Sequence, residues 1–374
     1  MDNASIQKLT MPKWGLSMSH GTVVEWLLPE GAAVSPGTEV LEVETEKITG
    51  TVESTVNGTL RRYVATPGQE VAVGGLLGVI ADPTVSEQAI ANFVDAFEPE
   101  EAPETTTADA PEPHYLEVAG FKLRYLKLGE GGHPLVLVHG FSGDLNNWLF
   151  NHTVLAEQRT VYAIDLPGHG HSSKDVGDGR LGFLAEALRS WLDAMELSTA
   201  DFVGHSLGGG TVLEFALQHP DRARSLCLIA STGLGPEISA NFIRGIVVGA
   251  RRKALKPHLE TLFAEPQRVT RQLVDDVLKY KRLDGVGEAL GRIADAFVQD
   301  ETQAYDFRQR LKELEMPLQV IWGARDQIIP AHHAAGLPAH VEVRIFEQAG
   351  HMVQMEAAHE VNALIGEFLS RLDA

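Results

Sequence analysis

Apolar and polar residues alternate in short runs between Leu9 and Ile80, and glycine interrupts them repeatedly. Examples are Gly21-Thr-Val-Val-Glu-Trp-Leu-Leu28, Glu39-Val-Leu-Glu-Val-Glu44 and Gly58-Thr-Leu-Arg-Arg-Tyr-Val-Ala65. A period of two is that of a half-buried strand, so a small all-β module is predicted over residues 5–82. Ala89, Ile90, Phe93, Val94 and Phe97 then recur at helical spacing, which predicts a short amphipathic helix whose apolar face docks on that module, with docking on a partner as the alternative. The pattern lapses from Glu98 to Pro113, a stretch rich in Pro, Glu, Ala and Thr, so residues 83–113 read as a helix followed by a flexible linker.

After Tyr115 apolar strands alternate with helical segments, the mark of a mostly parallel sheet covered on both faces. Strands are predicted at Pro134–Val138, Thr160–Ile164, Asp201–Val203, Ser225–Ile229, Leu318–Trp322 and Val341–Phe346, with covering helices at Leu181–Leu197 and Glu360–Leu372. From Gly235 to about Leu314 the pattern is helical without strands, as for a lid inserted before the late strands. An α/β domain over residues 114–374, with its lid at about 235–314, is therefore expected.

Composition narrows the partners. The chain has 374 residues, 44% hydrophobic and 22% charged, enough for two domains that each bury a core. A formal charge of -20 repels phosphate backbones and anionic lipid, which argues against nucleic-acid and membrane binding. The single cysteine, Cys227, lies in the apolar run Ser225-Leu-Cys-Leu-Ile-Ala230 and reads as a buried strand residue, so no disulfide framework exists. The opening residues show no secretory pattern and no apolar run reaches the length of a membrane span, so a cytoplasmic protein is expected. No metal ligands are assigned.

Lys47 sits in Val43-Glu-Thr-Glu-Lys-Ile-Thr-Gly50 between two β runs, where a hairpin tip carries it into solvent. Gly37 precedes it by ten residues and Gly58 follows it by eleven, as expected if two similar half-sheets meet at the turn. That spacing alone also suits a solvated surface lysine. The wider run, with Met11-Pro-Lys-Trp-Gly-Leu-Ser-Met18, the Gly37 and Gly58 pair and Val43-Glu-Thr-Glu-Lys47, resembles the lipoyl domains of dihydrolipoamide acyltransferases. Two positions depart mildly: Glu46 stands where Asp is commoner and Ile48 where Ala is commoner. Biotin carriers usually flank the lysine with methionine, which Glu46 and Ile48 do not. The resemblance implies lipoate attached covalently to Lys47. A Pro-rich linker advancing about 3 Å per residue would let such an arm travel tens of Å and raise its effective concentration at each site into the mM range.

A second chemistry lies downstream. Gly204-His-Ser-Leu-Gly208 follows the strand Asp201–Val203 and precedes a helical run from Gly209 to Gln218, the setting of a nucleophile elbow at Ser206. Asp326, after Leu318-Gln-Val-Ile-Trp322, and His351, in Glu347-Gln-Ala-Gly-His351, follow at the ends of late strands. Alone, an Asp there suits a helix cap and a loop His suits the surface, but together they meet the order nucleophile, acid, base. His351 would take the Ser206 proton and Asp326 would orient the imidazole. The amides of Leu207 and of Phe141, in Val138-His-Gly-Phe-Ser-Gly143, are the expected oxyanion hole. His139, Asp165 and His169 read as loop architecture. These features resemble the α/β-hydrolase superfamily over Tyr115 to Ala374. The basic run Arg251-Arg-Lys-Ala-Leu-Lys256 reads as a solvated helix face, with phosphate binding to coenzyme A as the alternative.

A lipoyl domain joined to an α/β-hydrolase domain resembles the acyltransferase component of bacterial acetoin-cleaving complexes over the whole chain. That resemblance implies an acetyl group carried on lipoyl-Lys47 and passed to coenzyme A. It also implies, as partners in an oligomeric complex, a thiamine-diphosphate acetoin dehydrogenase and a flavin-dependent dihydrolipoamide dehydrogenase. Ordinary acyltransferases of this class use His-x-x-x-Asp-Gly. The nearest stretch here is His171-Ser-Ser-Lys-Asp-Val176, with valine in place of glycine, so transfer through an acyl-Ser206 is the expected route. A lipoyl-tethered serine thioesterase or esterase, and a non-catalytic carrier, are the alternative readings.

Overall fold

The computed structural model describes residues 6–12, 14, 18–45, 49–97 and 112–373. Contacts divide the chain into two units, residues 1–110 and 111–374.

In the first unit the alternating runs become eight strands: β1 (Ile6–Thr10), β2 (His20–Trp26), β3 (Ala33–Val34), β4 (Glu39–Glu44), β5 (Thr49–Glu53), β6 (Gly58–Tyr63), β7 (Glu70–Ala72) and β8 (Leu76–Ala81). They form two four-stranded antiparallel sheets, in the orders β1-β8-β6-β3 and β5-β4-β2-β7. Their inward residues, among them Val23, Leu41, Val43, Leu60 and Leu77, share one core. α1 (Glu87–Asp95) begins at Ser86, whose hydroxyl accepts from the Ala89 amide. Its buried Ile90 packs with Ile6, Leu76 and Val79, so the helix docks on the module that precedes it. Residues 98–111 of the linker expected to Pro113 lie outside the described residues.

The second unit opens with a hairpin, β9 (His114–Val118) and β10 (Phe121–Leu128), which the apolar runs do not announce because β9 is largely exposed at the sheet edge. β11 (Leu135–Val138), α2 (His152–Leu155), β12 (Val161–Ile164), α3 (Leu181–Ala194), β13 (Ala200–His205), α4 (Leu207–Gln218) and β14 (Ala223–Ile229) follow. Next come α5 (Ala240–Val248), α6 (Arg252–Glu260), α7 (Arg271–Lys281) and α8 (Val286–Phe297), then β15 (Val298–Gln299), β16 (Thr302–Gln303), β17 (Leu318–Gly323), β18 (Val341–Phe346), α9 (Val353–Glu356) and α10 (Ala358–Asp373). The eight-stranded sheet runs β18-β17-β14-β13-β11-β12-β10-β9. It is parallel from β18 to β12 and antiparallel at the β10 and β9 edge.

All four residues of β11 and of β12 are buried, which explains why they read as unbroken apolar runs. Two expectations are corrected. The lid is not free of strands, since β15 and β16 pair as a hairpin whose two-residue strands are too short to set up a period. The helix predicted to Leu197 stops at Ala194, with Glu196 turning into the left-handed region at φ 56°. Among the described residues no helix is long and apolar enough to cross a membrane.

Candidate active site

Ser206 sits between β13 and α4 with φ 53° and ψ -117°. Such a conformation costs of order 1–3 kcal/mol for a residue other than glycine and persists only where its surroundings impose it. Here they do. The Ser206 amide donates to Ile229 O at 2.9 Å, and its carbonyl accepts from the amides of Gly210 and Thr232, each at 3.1 Å. A Cβ at Gly204 would lie 2.7 Å from Gly208 O, and one at Gly208 would lie 2.2 Å from Val138 O. The two glycines thus let the elbow close against β11. Ser206 also stands at the amino end of α4, where the helix dipole favours a developing anion.

Asp326 lies three residues beyond the end of β17, with its side chain fully buried. Four donors satisfy its charge: His351 Nδ1 at 2.7 Å and Trp322 Nε1 at 3.0 Å reach Oδ2, while the amides of Ile328 and Ile329 reach Oδ1 at 2.8 and 3.0 Å. With Nδ1–H given to Asp326, the His351 lone pair falls on Nε2. The acid and base expected from the sequence are therefore in direct contact.

Ser206 is joined to that pair through its neighbour. His205 Nε2 donates to the His351 carbonyl at 3.0 Å, and the two rings lie 4.8 Å apart. Burial holds His205 neutral, well below the usual histidine range. Sequence reasoning passed over His205, which occupies the variable position of the elbow motif. Glu356 was passed over as well. Its carboxylate accepts from Gly350 N and from Ala264 N, each at 2.8 Å, while Met352 N donates to Leu262 O. The segment after α6 is thereby tied to the loop that carries His351.

The expected oxyanion loop lies beside the nucleophile. A Cβ at Gly140 would fall 2.8 Å from His205 Nδ1 and 3.1 Å from Ser206 Cβ, so a larger residue there would push against the elbow. Phe141 is buried there, its ring 5.6 Å from Phe297 of the lid helix α8. Leu207 is the first residue of α4, where backbone amides have no partner within the helix. His139 shapes this loop: Nδ1 donates to Gly140 O at 2.8 Å and Nε2 accepts from Leu166 N at 3.0 Å, as the neutral form that burial enforces. Asp165 accepts from the amides of Leu145 and His171 and so is structural, and His169 donates through Nδ1 to Pro167 O. The His171–Val176 stretch is a loop stitched by Lys174, whose ammonium donates to the carbonyls of His169, Gly170 and Ser172. Burial lowers the Lys174 pKa to about 8. Cys227 is buried in β14, its thiol donating to Gln319 and pushed up in pKa by burial.

In the first unit β4 and β5 pair with Glu44 opposite Thr49, so residues 45–48 form their connection. Lys47 belongs to that connection and lies outside the described residues. A Cβ at Gly50, beside the connection, would sit 2.9 Å from the Trp14 ring, so Trp14 packs directly on the base of the hairpin. A braced hairpin with a short connection fits a lysine that carries a group outward. Among the described residues one cluster of metal-binding type occurs, Glu237 with His332 and His333, and there the carboxylate is already hydrogen-bonded to both rings, at 3.2 and 2.6 Å.

Residues 7–80 match the family of biotin-requiring enzymes, which covers biotinyl and lipoyl carriers, and residues 133–358 match the α/β hydrolase fold. A meta-cleavage product hydrolase from Pseudomonas fluorescens shares that fold over 69% of this chain and 97% of its own, with a TM-score of 0.63 at 21% identity. The dihydrolipoyllysine-residue acetyltransferase component of the acetoin cleaving system of Pseudomonas putida is 48% identical over 98% of this chain and 100% of its own. Its counterpart in Cupriavidus necator is 42% identical over 98% of both chains. With both modules matched in order and the likeness running end to end, this chain belongs to the family of dihydrolipoyllysine-residue acetyltransferase components of acetoin-cleaving systems.

Proposed function

We propose that the chain transfers an acetyl group from a thioester to the thiol of coenzyme A by way of Ser206. The contact between Asp326 and His351, with Ser206 in a strained turn next to His205, which donates to the His351 carbonyl, carries this reading. His351 Nε2 takes the Ser206 proton as Oγ attacks the thioester carbonyl, and the amides of Leu207 and Phe141 face the oxyanion. The carbon–sulfur bond then breaks and the sulfur leaves as a thiol with the proton from His351. Acetyl-Ser206 remains. The coenzyme A thiol gives its proton to His351, attacks the ester carbonyl and releases Ser206 Oγ, which recovers that proton. Asp326 stabilises the imidazolium at both stages. Ser206 is 6% exposed and His351 2% exposed, so the reacting groups are recessed from bulk solvent.

Lys47 would hold lipoate in amide linkage, and that group supplies a thiol on which an acyl group travels as a thioester. The relatives' role as components of acetoin-cleaving systems supports a multi-enzyme setting. In it, a thiamine-diphosphate acetoin dehydrogenase loads the arm and a dihydrolipoamide dehydrogenase reoxidises it, in the cytoplasm. The test is acetyl-coenzyme A formation by the lipoylated chain and by its Ser206→Ala form, with products analysed with and without coenzyme A. Loss of about 10³-fold or more is expected. Unchanged turnover refutes the acyl-serine route, and free acetate formed at the same rate with and without coenzyme A makes the chain a thioesterase. Intact mass before and after Lys47→Arg tests the attachment.

A further inference from the structure

The lid carries a cationic cleft that the triad does not use. It has a volume of about 410 Å³ and lies between α6 and α7, lined by Arg251, Arg252, Gln272, Asp275, Lys279 and Arg282 among others. Four cations line it against one carboxylate, Asp275, with Asp276 beside it, whereas the whole chain has 31 basic and 51 acidic residues. Arg252 is paired with Asp275, and Lys279 with Asp276 at 3.0 Å. Among the described residues Arg251 and Arg282 have no ion pair, and both are exposed, so their guanidinium groups remain available to an anion. The first turn of α6, which begins Arg252-Lys253, contains no acid and has no side-chain cap. Cations at that end of a helix oppose its dipole, and an anion in the cleft would relieve the repulsion.

The position matters as much as the charge. α6 runs from Arg252 to Glu260, and the residues just beyond it, Leu262 and Ala264, bond to the loop that holds His351. At about 1.5 Å per residue, the basic end lies on the order of 15 Å along the helix from those contacts. A pantetheine arm has roughly the length of four or five extended residues, also on the order of 15 Å. The arm of a nucleotide held in the cleft is thus long enough to reach the end of α6 that bonds to the loop carrying His351.

We propose that Arg251, Arg252, Lys279 and Arg282 bind the phosphates of coenzyme A, the guanidinium groups gripping phosphate oxygens in pairs. This rests on the reading of coenzyme A as acceptor. The sequence run Arg251–Lys256 then combines a solvated helix face, where Lys256 pairs with Glu260, and a phosphate site at its start.

The test is calorimetric binding of coenzyme A, 3′-dephospho-coenzyme A and pantetheine to the full lipoylated chain. Arg251→Ala, Arg282→Ala and the double variant are compared with Arg310→Ala, which removes an exposed cation paired with Glu313 elsewhere on the domain. Each cleft variant is expected to weaken coenzyme A binding about tenfold, equivalent to ~1.4 kcal/mol, with a smaller loss for the dephospho form and none for pantetheine. A double variant within twofold of the parent overturns the proposal, as does an equal loss in Arg310→Ala. Acetyl-coenzyme A formation is followed in parallel. Absent transfer with charge-dependent binding sinks the acceptor reading and leaves the cleft, while normal transfer with unchanged binding in the double variant sinks the cleft alone.

Discussion

Replacing Asp326 by asparagine changes one oxygen to an amide and inverts the hydrogen bonds around it. The carboxylate accepts four donors, two backbone amides on Oδ1 and the Trp322 and His351 ring N–H groups on Oδ2. An asparagine keeps one oxygen, and the two backbone amides hold it in the Oδ1 position. The amide nitrogen then points two N–H groups at Trp322 Nε1–H and His351 Nδ1–H. Trp322 cannot become an acceptor and its N–H keeps the Ile329 carbonyl at 3.0 Å, so the amide N–H that faces it goes unpaired in the buried site at about 1–3 kcal/mol. His351 relieves its own clash by moving its proton to Nε2, which removes the lone pair that deprotonates Ser206. A wrong tautomer of this kind lowers turnover by about 10⁴-fold in an unrelated triad, or ~5.4 kcal/mol of barrier. The assay is single-turnover acetyl transfer, with the urea midpoint measured on the same samples. We expect a loss of about 10³ to 10⁴ in rate alongside a fall in stability of about 1–3 kcal/mol. An Asp326→Asn protein that is folded and turns over within tenfold of the parent would refute the assignment of acid and base together.

Three further outcomes follow from the same geometry. Gly208→Ala places a Cβ 2.2 Å from Val138 O, so the elbow must open; a loss of at least about 3 kcal/mol in urea unfolding, or failure to express in soluble form, is expected. His205→Phe removes the donor to the His351 carbonyl, and about a tenfold drop in kcat with little change in the KM for coenzyme A should follow, with partial recovery in His205→Gln. Burial lowers the pKa of His139, His169 and His205 from 6.5, so the unfolded chain binds more protons than the folded one below about pH 6.5. Stability should therefore fall as pH drops through that window, and His169→Phe, which deletes one such group, should flatten the dependence of Tm on pH.

Much of the site could be read before any coordinates. The apolar runs that became β11, β12 and β14 are buried on both faces, so their composition alone marks them. The nucleophile motif is local because its glycines and Ser206 serve one turn, and the order of Ser206, Asp326 and His351 follows from strands that each end at the same edge of a parallel sheet. The carrier hairpin was legible for a similar reason, since two strands and their connection are contiguous.

What escaped the linear reading is everything built from residues far apart along the chain. His205 meets His351 across 146 positions, Glu356 meets Ala264 across 92, and Arg251 faces Arg282 over the cleft only because α6 packs on α7. None of these pairings has a local periodicity to betray it: an isolated His or Glu is compatible with a solvated surface, and the basic run at Arg251 does not name its partner across the cleft. The exposed edge strand β9 and the brief β15–β16 hairpin failed for the opposite reason: they are local, but too polar or too short for burial to impress a pattern on them. Hydrophobic period follows from which face of a segment is shielded, and it can be read one segment at a time. The pairing of one segment with another depends on the strand order β18-β17-β14-β13-β11-β12, which is set by closing the whole core at once.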